Sequence, residues 1–125
     1  MPHTVLIADD NLAIRQGLRA LFQGESDFDV CGEAENGREA VEKAQQLHPD
    51  LILLDLSMPV MNGMEAAGIL KKLMSKVPVI IYSAQQNILS QKEANSAGIW
   101  AWISKSEHVS VLLSEARSLM HPLPS

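Results

Sequence analysis

The 125 residues of this chain are enough for one compact domain, and 46% of them are hydrophobic, so a single core can form without disulfides or metal. The formal net charge of −5 and the lack of a Lys/Arg cluster count against direct nucleic-acid binding, and no apolar run reaches the roughly 20 residues that cross a bilayer. The single cysteine, Cys31, has no partner for an intrachain disulfide, so we expect a cytoplasmic protein without membrane contact.

Strands and helices alternate in the first half of the chain. The apolar run Thr4–Ala8 predicts a strand buried on both faces, because its hydrophobic residues follow one another without alternation. Apolar residues then recur every three or four positions from Ile14 to Phe22, which predicts an amphipathic helix. Phe28–Ala34 alternates between apolar and polar residues, as is typical of an edge strand, and a second helix is predicted around Val41 to Leu47.

The second half of the chain continues the alternation. Three further buried strands are predicted, over Leu51–Leu54, Val77–Tyr82 and Ile99–Ile103. Apolar stripes predict helices over Met64–Met74 and Val109–Met120. Between the last two strands, Gln86–Ala97 contains good helix formers that are mostly polar, which predicts a marginal and exposed fourth helix.

Five alternations of strand and helix predict an α/β fold, a doubly wound five-stranded parallel sheet with helices on both faces. In such sheets ligands bind beyond the carboxyl ends of the strands. The polar residues at those ends are Asp9, Asp10, Asp55, Ser83 and, one residue beyond its strand, Lys105. We expect these five side chains to converge at one edge of the sheet.

The chemistry of these residue types favours a phosphoryl pocket. Three crowded carboxylates repel one another unless a cation is present, and their hard oxygens suit Mg²⁺. A lysine and a serine hydroxyl can both donate to phosphoryl oxygens. Asp55 stands alone at the end of a central strand, where it can attack phosphorus and form an acyl phosphate, while Asp9 and Asp10 are better suited to hold the metal.

Each of these residues also has an ordinary structural interpretation. Asp10 or Asn11 could cap the first helix, and Asp55 could be a turn residue ahead of Pro59. Lys105 alone would usually be a solvated surface lysine. The combination of acids, hydroxyl and amine at separate strand ends favours the functional interpretation.

Four stretches, in chain order, resemble the signature of the response regulator receiver domain of two-component signalling. They are Asp9–Asp10, Asp55-Leu56-Ser57-Met58-Pro59 with Asn62–Gly63, Ser83–Ala84, and Gly98 to Lys105. The resemblance covers almost the whole chain and implies a flavodoxin-like (βα)5 sandwich with strand order 2-1-3-4-5. Gly17–Leu21 and Gly32–Ala34 further resemble receivers fused to a helix-turn-helix output domain. We expect a receiver domain over 1–120 and a tail or the start of a linker over 121–125.

The resemblance implies a role for each pocket residue. Asp55 would accept a phosphoryl group from a histidine kinase or a phosphotransfer protein. Asp10 and Asp55 would bind Mg²⁺ directly, Asp9 largely through water, and the backbone carbonyl of Ser57 would complete the protein ligands. Lys105 would contact the incoming phosphoryl group, as would Ser83. Such a domain is not an enzyme in the usual sense, because it catalyses only its own phosphorylation and dephosphorylation.

The resemblance also implies a switch. Ser83 would move toward the phosphate and Trp102 would change rotamer behind it, which alters the surface of the fourth helix, fifth strand and fifth helix that controls an output domain or partner protein. Trp100 lies two residues before Trp102, and both core packing and an exposed aromatic patch remain open for the pair. A homodimer, through helices one and five or through helix four and strand five, is also open. Since Ser106 follows Lys105 where many receivers have a cis proline, we expect a trans peptide.

Three other functions compete with this one. A pseudo-receiver would keep the fold and signal by binding alone. An aspartyl phosphatase acting on small phosphate esters usually has a second acid two residues after the nucleophile, where this chain has Ser57. A flavodoxin-like electron carrier would place a flavin phosphate after the first strand, where the charges of Asp9 and Asp10 would repel it.

Overall fold

The computed structural model describes residues 1–121 as one α/β unit of alternating strands and helices. The strands are β1 (His3–Ala8), β2 (Phe28–Ala34), β3 (Leu51–Leu54), β4 (Val79–Ser83) and β5 (Ala101–Ser104). The helices are α1 (Leu12–Gln23), α2 (Gly37–Leu47), α3 (Gly63–Leu73), α4 (Gln91–Ala97) and α5 (Val109–Met120). Of the predicted tail over 121–125, residues 122–125 lie outside the described part of the chain.

The five strands form one parallel sheet in the order β2-β1-β3-β4-β5, which confirms the predicted doubly wound fold and strand order. β2 lies at one edge of the sheet, as its alternating pattern predicts. The prediction that the last strand is buried on both faces is wrong, because β5 forms the opposite edge and only Ile103 of its four residues is fully buried. An apolar run therefore does not by itself distinguish a central strand from a partly covered edge strand.

Helices cover both faces of the sheet, and the alternation of side chains along β1 divides the core into two layers. Val5 and Ile7 point toward the layer that contains α1 and α5. Leu6 and Ala8 point toward the layer that contains α2, α3 and α4. Because helices cover both faces, the residues at the ends of the strands can reach solvent only at the rim of the sheet. Within residues 1–121, no helix is both long and apolar enough to cross a membrane.

The fourth helix begins at Gln91 and not at Gln86, which corrects the prediction at this point. Ser90 and Glu93 form a capping box in which each side chain accepts a hydrogen bond from the backbone N–H of the other, and this sets the start of α4. Upstream of the box, the side chain of Asn87 accepts a hydrogen bond from Leu89 N–H at 2.9 Å, a local turn that competes with helix. The segment from 84 to 90 is consequently an exposed loop.

The loop between β3 and α3 passes very close to neighbouring backbone. An added Cβ at Gly63 would clash with the carbonyl oxygen of Asp55, and one at Gly37 would clash with the carbonyl oxygen of Met61. Gly63 N–H donates to Leu56 O at 2.9 Å, and Gly37 N–H donates to Met61 O at 2.8 Å. Glycine at these two positions lets α2 and α3 fix the loop that follows Asp55.

Val60 in the same loop has a left-handed backbone with φ of 68°, and its side chain is 75% exposed. Met61 N–H donates to Pro59 O at 2.7 Å across it, so Val60 occupies the centre of a tight three-residue turn. A β-branched residue in this region of φ is strained, since its side chain crowds the backbone.

Replacing Val60 with asparagine should relieve this strain, because asparagine adopts positive φ more readily. We expect Val60→Asn to raise the free energy of unfolding by about 1 kcal/mol, measured by urea denaturation. Val111→Asn is the matched control, since Val111 is an exposed valine with ordinary helical backbone in α5. An equal gain in both variants would show that the backbone of Val60 is not the cause.

Candidate functional site

The carboxyl ends of four strands bring the predicted site residues together at one rim of the sheet. Asp55 N–H donates to Ala8 O at 2.9 Å, which places the end of β3 beside the end of β1. Lys105 N–H donates to Ser83 O at 2.7 Å, which ties the residue after β5 to the end of β4. A pocket of about 390 Å³ results, lined by Asp9, Asp10, Asn11, Ile14, Asp55, Ser57, Ser83, Ala84, Gln85 and Lys105.

Three carboxylates meet in this pocket. One oxygen each from Asp9, Asp10 and Asp55 lies within 4.8 Å of the others. Asp9 and Asp55 are buried, at 1% and 8% exposure, and Asp10 is exposed. The helix cap is Asn11, whose side chain accepts a hydrogen bond from Ile14 N–H at 3.1 Å, so the alternative in which Asp10 caps α1 is wrong. The carboxylate of Asp10 is therefore available to the pocket.

Lys105 bridges the two buried carboxylates. Its Nζ lies 3.1 Å from Asp9 Oδ2 and 3.3 Å from Asp55 Oδ1. Burial alone would lower the pKa of this ammonium, but the hydrogen bond to Asp9 and the charges of Asp9 and Asp55 outweigh it, and the pKa is raised. Lys105 thus stays protonated and supplies a fixed positive charge inside the pocket. The peptide between Lys105 and Ser106 is trans, as expected.

The carboxyl group of Asp55 is disfavoured in its charged form. Burial raises its pKa, the charge of Asp9 raises it further and that of Asp10 adds to this, while Lys105 offsets only part of the increase. A cation in the pocket would remove this penalty, because it would interact favourably with all three carboxylates. Hard carboxylate oxygens in this number are the donors that Mg²⁺ accepts, together with water and phosphate oxygens.

Two serines line the pocket, Ser83 at the end of β4 and Ser57 in the loop after β3. Ser83 is 2% exposed, and its Oγ accepts a hydrogen bond from Gln85 N–H at 3.0 Å, which leaves the hydroxyl proton available for donation. Ser57 is exposed and lines the rim. Together with Lys105, Ser83 gives the pocket two donors for an anionic oxygen.

Trp102 lies outside the pocket but contacts the same loop. Its indole Nε1–H donates to Gln85 O at 3.0 Å, and its ring packs partly buried against the apolar cluster on the α3 and α4 face. Gln85 therefore contacts Ser83 through its N–H and Trp102 through its carbonyl. Trp100 precedes β5 and is 45% exposed, so neither tryptophan is a fully buried core residue.

Arg15 is a residue beside the site that the sequence interpretation missed. It is only 7% exposed, and its Nη1 donates to Asp9 O at 2.7 Å. The signal was present in the sequence, because Arg15 shares one helical face with Leu18 and Phe22, the other buried residues of α1. A charged residue on an otherwise apolar face needs buried partners.

A family model, a curated relative and a solved structure all relate this chain to response regulators. The family model of the response regulator receiver domain matches residues 5–117. The response regulator protein VraR of Staphylococcus saprophyticus is 35% identical over 117 residues, which cover 94% of this chain and 56% of that protein, so the chain spans little more than half of that relative. The response regulator domain of Thermotoga maritima CheB superposes with a TM-score of 0.88 at 32% identity, covering 99% of this chain and 100% of that one.

A further solved structure is described with a ligand. The response regulator protein TrrA of Thermotoga maritima, in complex with Mg(2+)-BeF, superposes with a TM-score of 0.84 at 28% identity. The match covers 95% of this chain and 99% of that chain.

The raised pKa of Asp55 predicts an effect on stability in the metal-free protein. The folded state holds the Asp55 proton more tightly than the unfolded state does, so this group stabilises the fold below its ordinary pKa and that contribution is lost as the pH rises through the folded pKa. Asp55→Asn removes the buried charge. Urea denaturation in a metal chelator should therefore give a higher free energy of unfolding for the variant at pH 7, with the difference disappearing as the medium is acidified.

Asp29→Asn is the matched control for this comparison, because Asp29 is an exposed acid on β2. It should show no such pH-dependent gain. If Asp55→Asn is no more stable than the wild type at pH 7, the charge of Asp55 is already compensated in the metal-free pocket.

Proposed function

The chain belongs to the response regulator receiver domain family of two-component signalling, and we propose that it is a phospho-accepting switch with Asp55 as the acceptor. The donor is a histidine kinase or a phosphotransfer protein. The observation that supports this most directly is the position of Asp55, a buried carboxylate at the end of central strand β3 with Asp9, Asp10 and Lys105 around it.

In the proposed reaction, an oxygen of the Asp55 carboxylate attacks the phosphorus atom of a phosphohistidine. The new P–O bond forms as the P–N bond breaks, and the electron pair of the P–N bond leaves with the imidazole. A ring that already carries a proton on its other nitrogen leaves as neutral imidazole, and a ring without that proton takes one up from solvent. The product on this chain is an acyl phosphate. Lys105 would offset the charge of the phosphoryl oxygens, and the hydroxyl of Ser83 would donate a hydrogen bond to one of them. Such stabilisation is the main requirement in phosphoryl transfer.

The donor set fits Mg²⁺. We propose that Asp10 and Asp55 hold the ion directly, that Asp9 acts largely through water, and that the backbone carbonyl of Ser57 completes the protein ligands. A bound Mg²⁺ would offset the charge of Asp9, Asp10 and Asp55 and would stabilise the negative charge of a phosphoryl group beside them. The similarity to TrrA, whose structure is a complex with Mg(2+)-BeF, supports Mg²⁺ as the ion.

The phosphorylated state is proposed to switch the surface formed by α4, β5 and α5, through Ser83 and Trp102. Gln85 contacts both residues, so a displacement of Ser83 toward a phosphoryl group would also move the acceptor of the Trp102 hydrogen bond. The output is a second domain or a partner protein. We further propose that the receiver spans 1–120 and that the protein is cytoplasmic, as its lone thiol suggests.

A small-molecule phosphatase is less well supported. Ser57 stands where such enzymes usually have their second acid, and it lies exposed at the rim of the pocket. This receiver is therefore proposed to catalyse only its own phosphorylation and dephosphorylation. Sustained turnover of a small phosphate ester by the purified protein would reverse that conclusion.

Phosphorylation can be tested by intact-mass measurement after incubation with acetyl phosphate. We expect the wild type to gain one phosphoryl group only when Mg²⁺ is present, and Asp55→Asn to gain none, because it lacks the attacking oxygen. Asp29→Asn, which removes an exposed acid outside the pocket, should be labelled like the wild type. No label on the wild type would favour a pseudo-receiver, and a label on Asp55→Asn would assign the acceptor elsewhere.

The switch can be tested by fluorescence, because the chain contains two tryptophans and each can be removed in turn. In Trp100→Phe, the emission of Trp102 should shift on phosphorylation, since the indole would lose its hydrogen bond to Gln85 O. In Trp102→Phe, the remaining signal from Trp100 should change little. Unchanged emission from Trp102 in fully labelled protein would remove it from the switch.

A further inference from the structure

Arg15 is a buried cation that lies behind the acidic pocket and not in it. Its guanidinium uses three different nitrogen atoms: Nη1 donates to Asp9 O at 2.7 Å, Nε donates to Glu33 Oε1 at 3.3 Å, and Nη2 lies 3.8 Å from Glu35 Oε1. The residue thus joins helix α1 to the ends of β1 and β2. Glu33 compensates the buried charge, while Glu35 is largely exposed and contributes little.

The carbonyl that Arg15 binds belongs to the peptide group between Asp9 and Asp10. A peptide group is planar, so a hydrogen bond to its oxygen fixes the direction in which both flanking Cα atoms lie. On its other side, Asp9 N–H donates to Ala34 O at 3.0 Å. The backbone that carries two of the three carboxylates is therefore held by β2 on one side and by Arg15 on the other.

The hydrogen bond from Arg15 acts on backbone whose side chains repel the charge of a neighbouring carboxylate. Asp9, Asp10 and Asp55 have oxygens within 4.8 Å of one another, and the part of their repulsion that Lys105 does not offset favours rotation of the Asp9–Asp10 peptide away from Asp55. Arg15 opposes that rotation by a charge-assisted hydrogen bond in a buried setting. Lysine could not reproduce it, since one ammonium lacks the planar fork that binds Asp9 O and Glu33 Oε1 from different nitrogen atoms.

We propose that Arg15 is a positioning residue for the metal site: by holding the Asp9–Asp10 peptide, it sets the affinity of the pocket for Mg²⁺. The inference rests on the proposed function only in that the pocket takes Mg²⁺. It does not require phosphorylation, because affinity can be measured without any phosphodonor. Residues that orient metal ligands from outside the coordination sphere typically change affinity by about 10- to 100-fold when removed.

The experiment is a calorimetric titration of Mg²⁺ alone into the wild type, Arg15→Met and Arg19→Met. Arg19 is the matched control, since its Nη1 lies 2.8 Å from the same Glu33 and it makes no contact with Asp9. We expect Arg15→Met to weaken Mg²⁺ binding by about 10-fold or more and Arg19→Met to leave it nearly unchanged. Urea denaturation of each variant gives the folded fraction, to which the affinities are referred.

A purely structural role of Arg15 would change the stability of the fold but not the affinity of the folded protein for Mg²⁺. If Arg15→Met lowers the free energy of unfolding but its folded fraction binds Mg²⁺ like the wild type, the proposal is overturned. The labelling rate with acetyl phosphate gives a second readout: in Arg15→Met it should be slow at limiting Mg²⁺ and recover at saturating Mg²⁺. A rate that stays low at saturation would contradict a role through metal affinity.

Arg15→Lys serves if the methionine variant does not fold. It keeps the positive charge and loses the fork, so we expect weaker Mg²⁺ binding than in the wild type, and equal binding would overturn the proposal. Failure of this inference is distinguishable from failure of the proposed function. A wild type that binds Mg²⁺ but accepts no phosphoryl group removes the phospho-acceptor assignment alone, whereas a wild type that binds no Mg²⁺ removes both.

Discussion

Repulsion among Asp9, Asp10 and Asp55 at the carboxyl ends of β1 and β3 is the constraint around which this rim of the molecule is arranged. Two of the three carboxylates are almost completely buried, where charge is costly. Lys105, which follows β5, offsets part of that cost, because its ammonium lies between the two buried acids. The negative charge that Lys105 does not offset favours the binding of a cation.

The loops that carry these groups are restrained by backbone contacts. Gly63 and Gly37 allow α3 and α2 to approach the loop after Asp55, and the strained turn at Val60 lies within it. On the opposite side, Arg15 holds the backbone of Asp9. Such restraint suits a site that must present several oxygens in one geometry, since loosely held ligands would relax away from one another.

The loop from 84 to 90 contrasts with this rigidity. It is exposed, it has no helix, and Ile88 within it is 90% exposed. It nevertheless joins the pocket to β5, because Gln85 contacts both Ser83 and Trp102. Segments with few buried contacts are the ones that open at low free-energy cost, so this is the part of the rim best able to respond to a change in the pocket.

The sequence alone determined the alternation of strands and helices and the convergence of its acid, hydroxyl and amine side chains at one rim. The spacing of hydrophobic residues distinguishes a strand from a helix. Because every strand of a parallel sheet ends at the same rim, Asp9, Asp55, Ser83 and Lys105 could be placed together. It did not determine the start of α4, where a capping box and a side-chain turn decide between local alternatives of similar energy. Only the tertiary structure decided the partial exposure of β5, the left-handed backbone of Val60 and the hydrogen bond from Arg15 to Asp9 O. These depend on which residues, far apart in the chain, surround each position. Helical periodicity places Arg15 on the buried face of α1, but it does not tell which carbonyl its side chain binds.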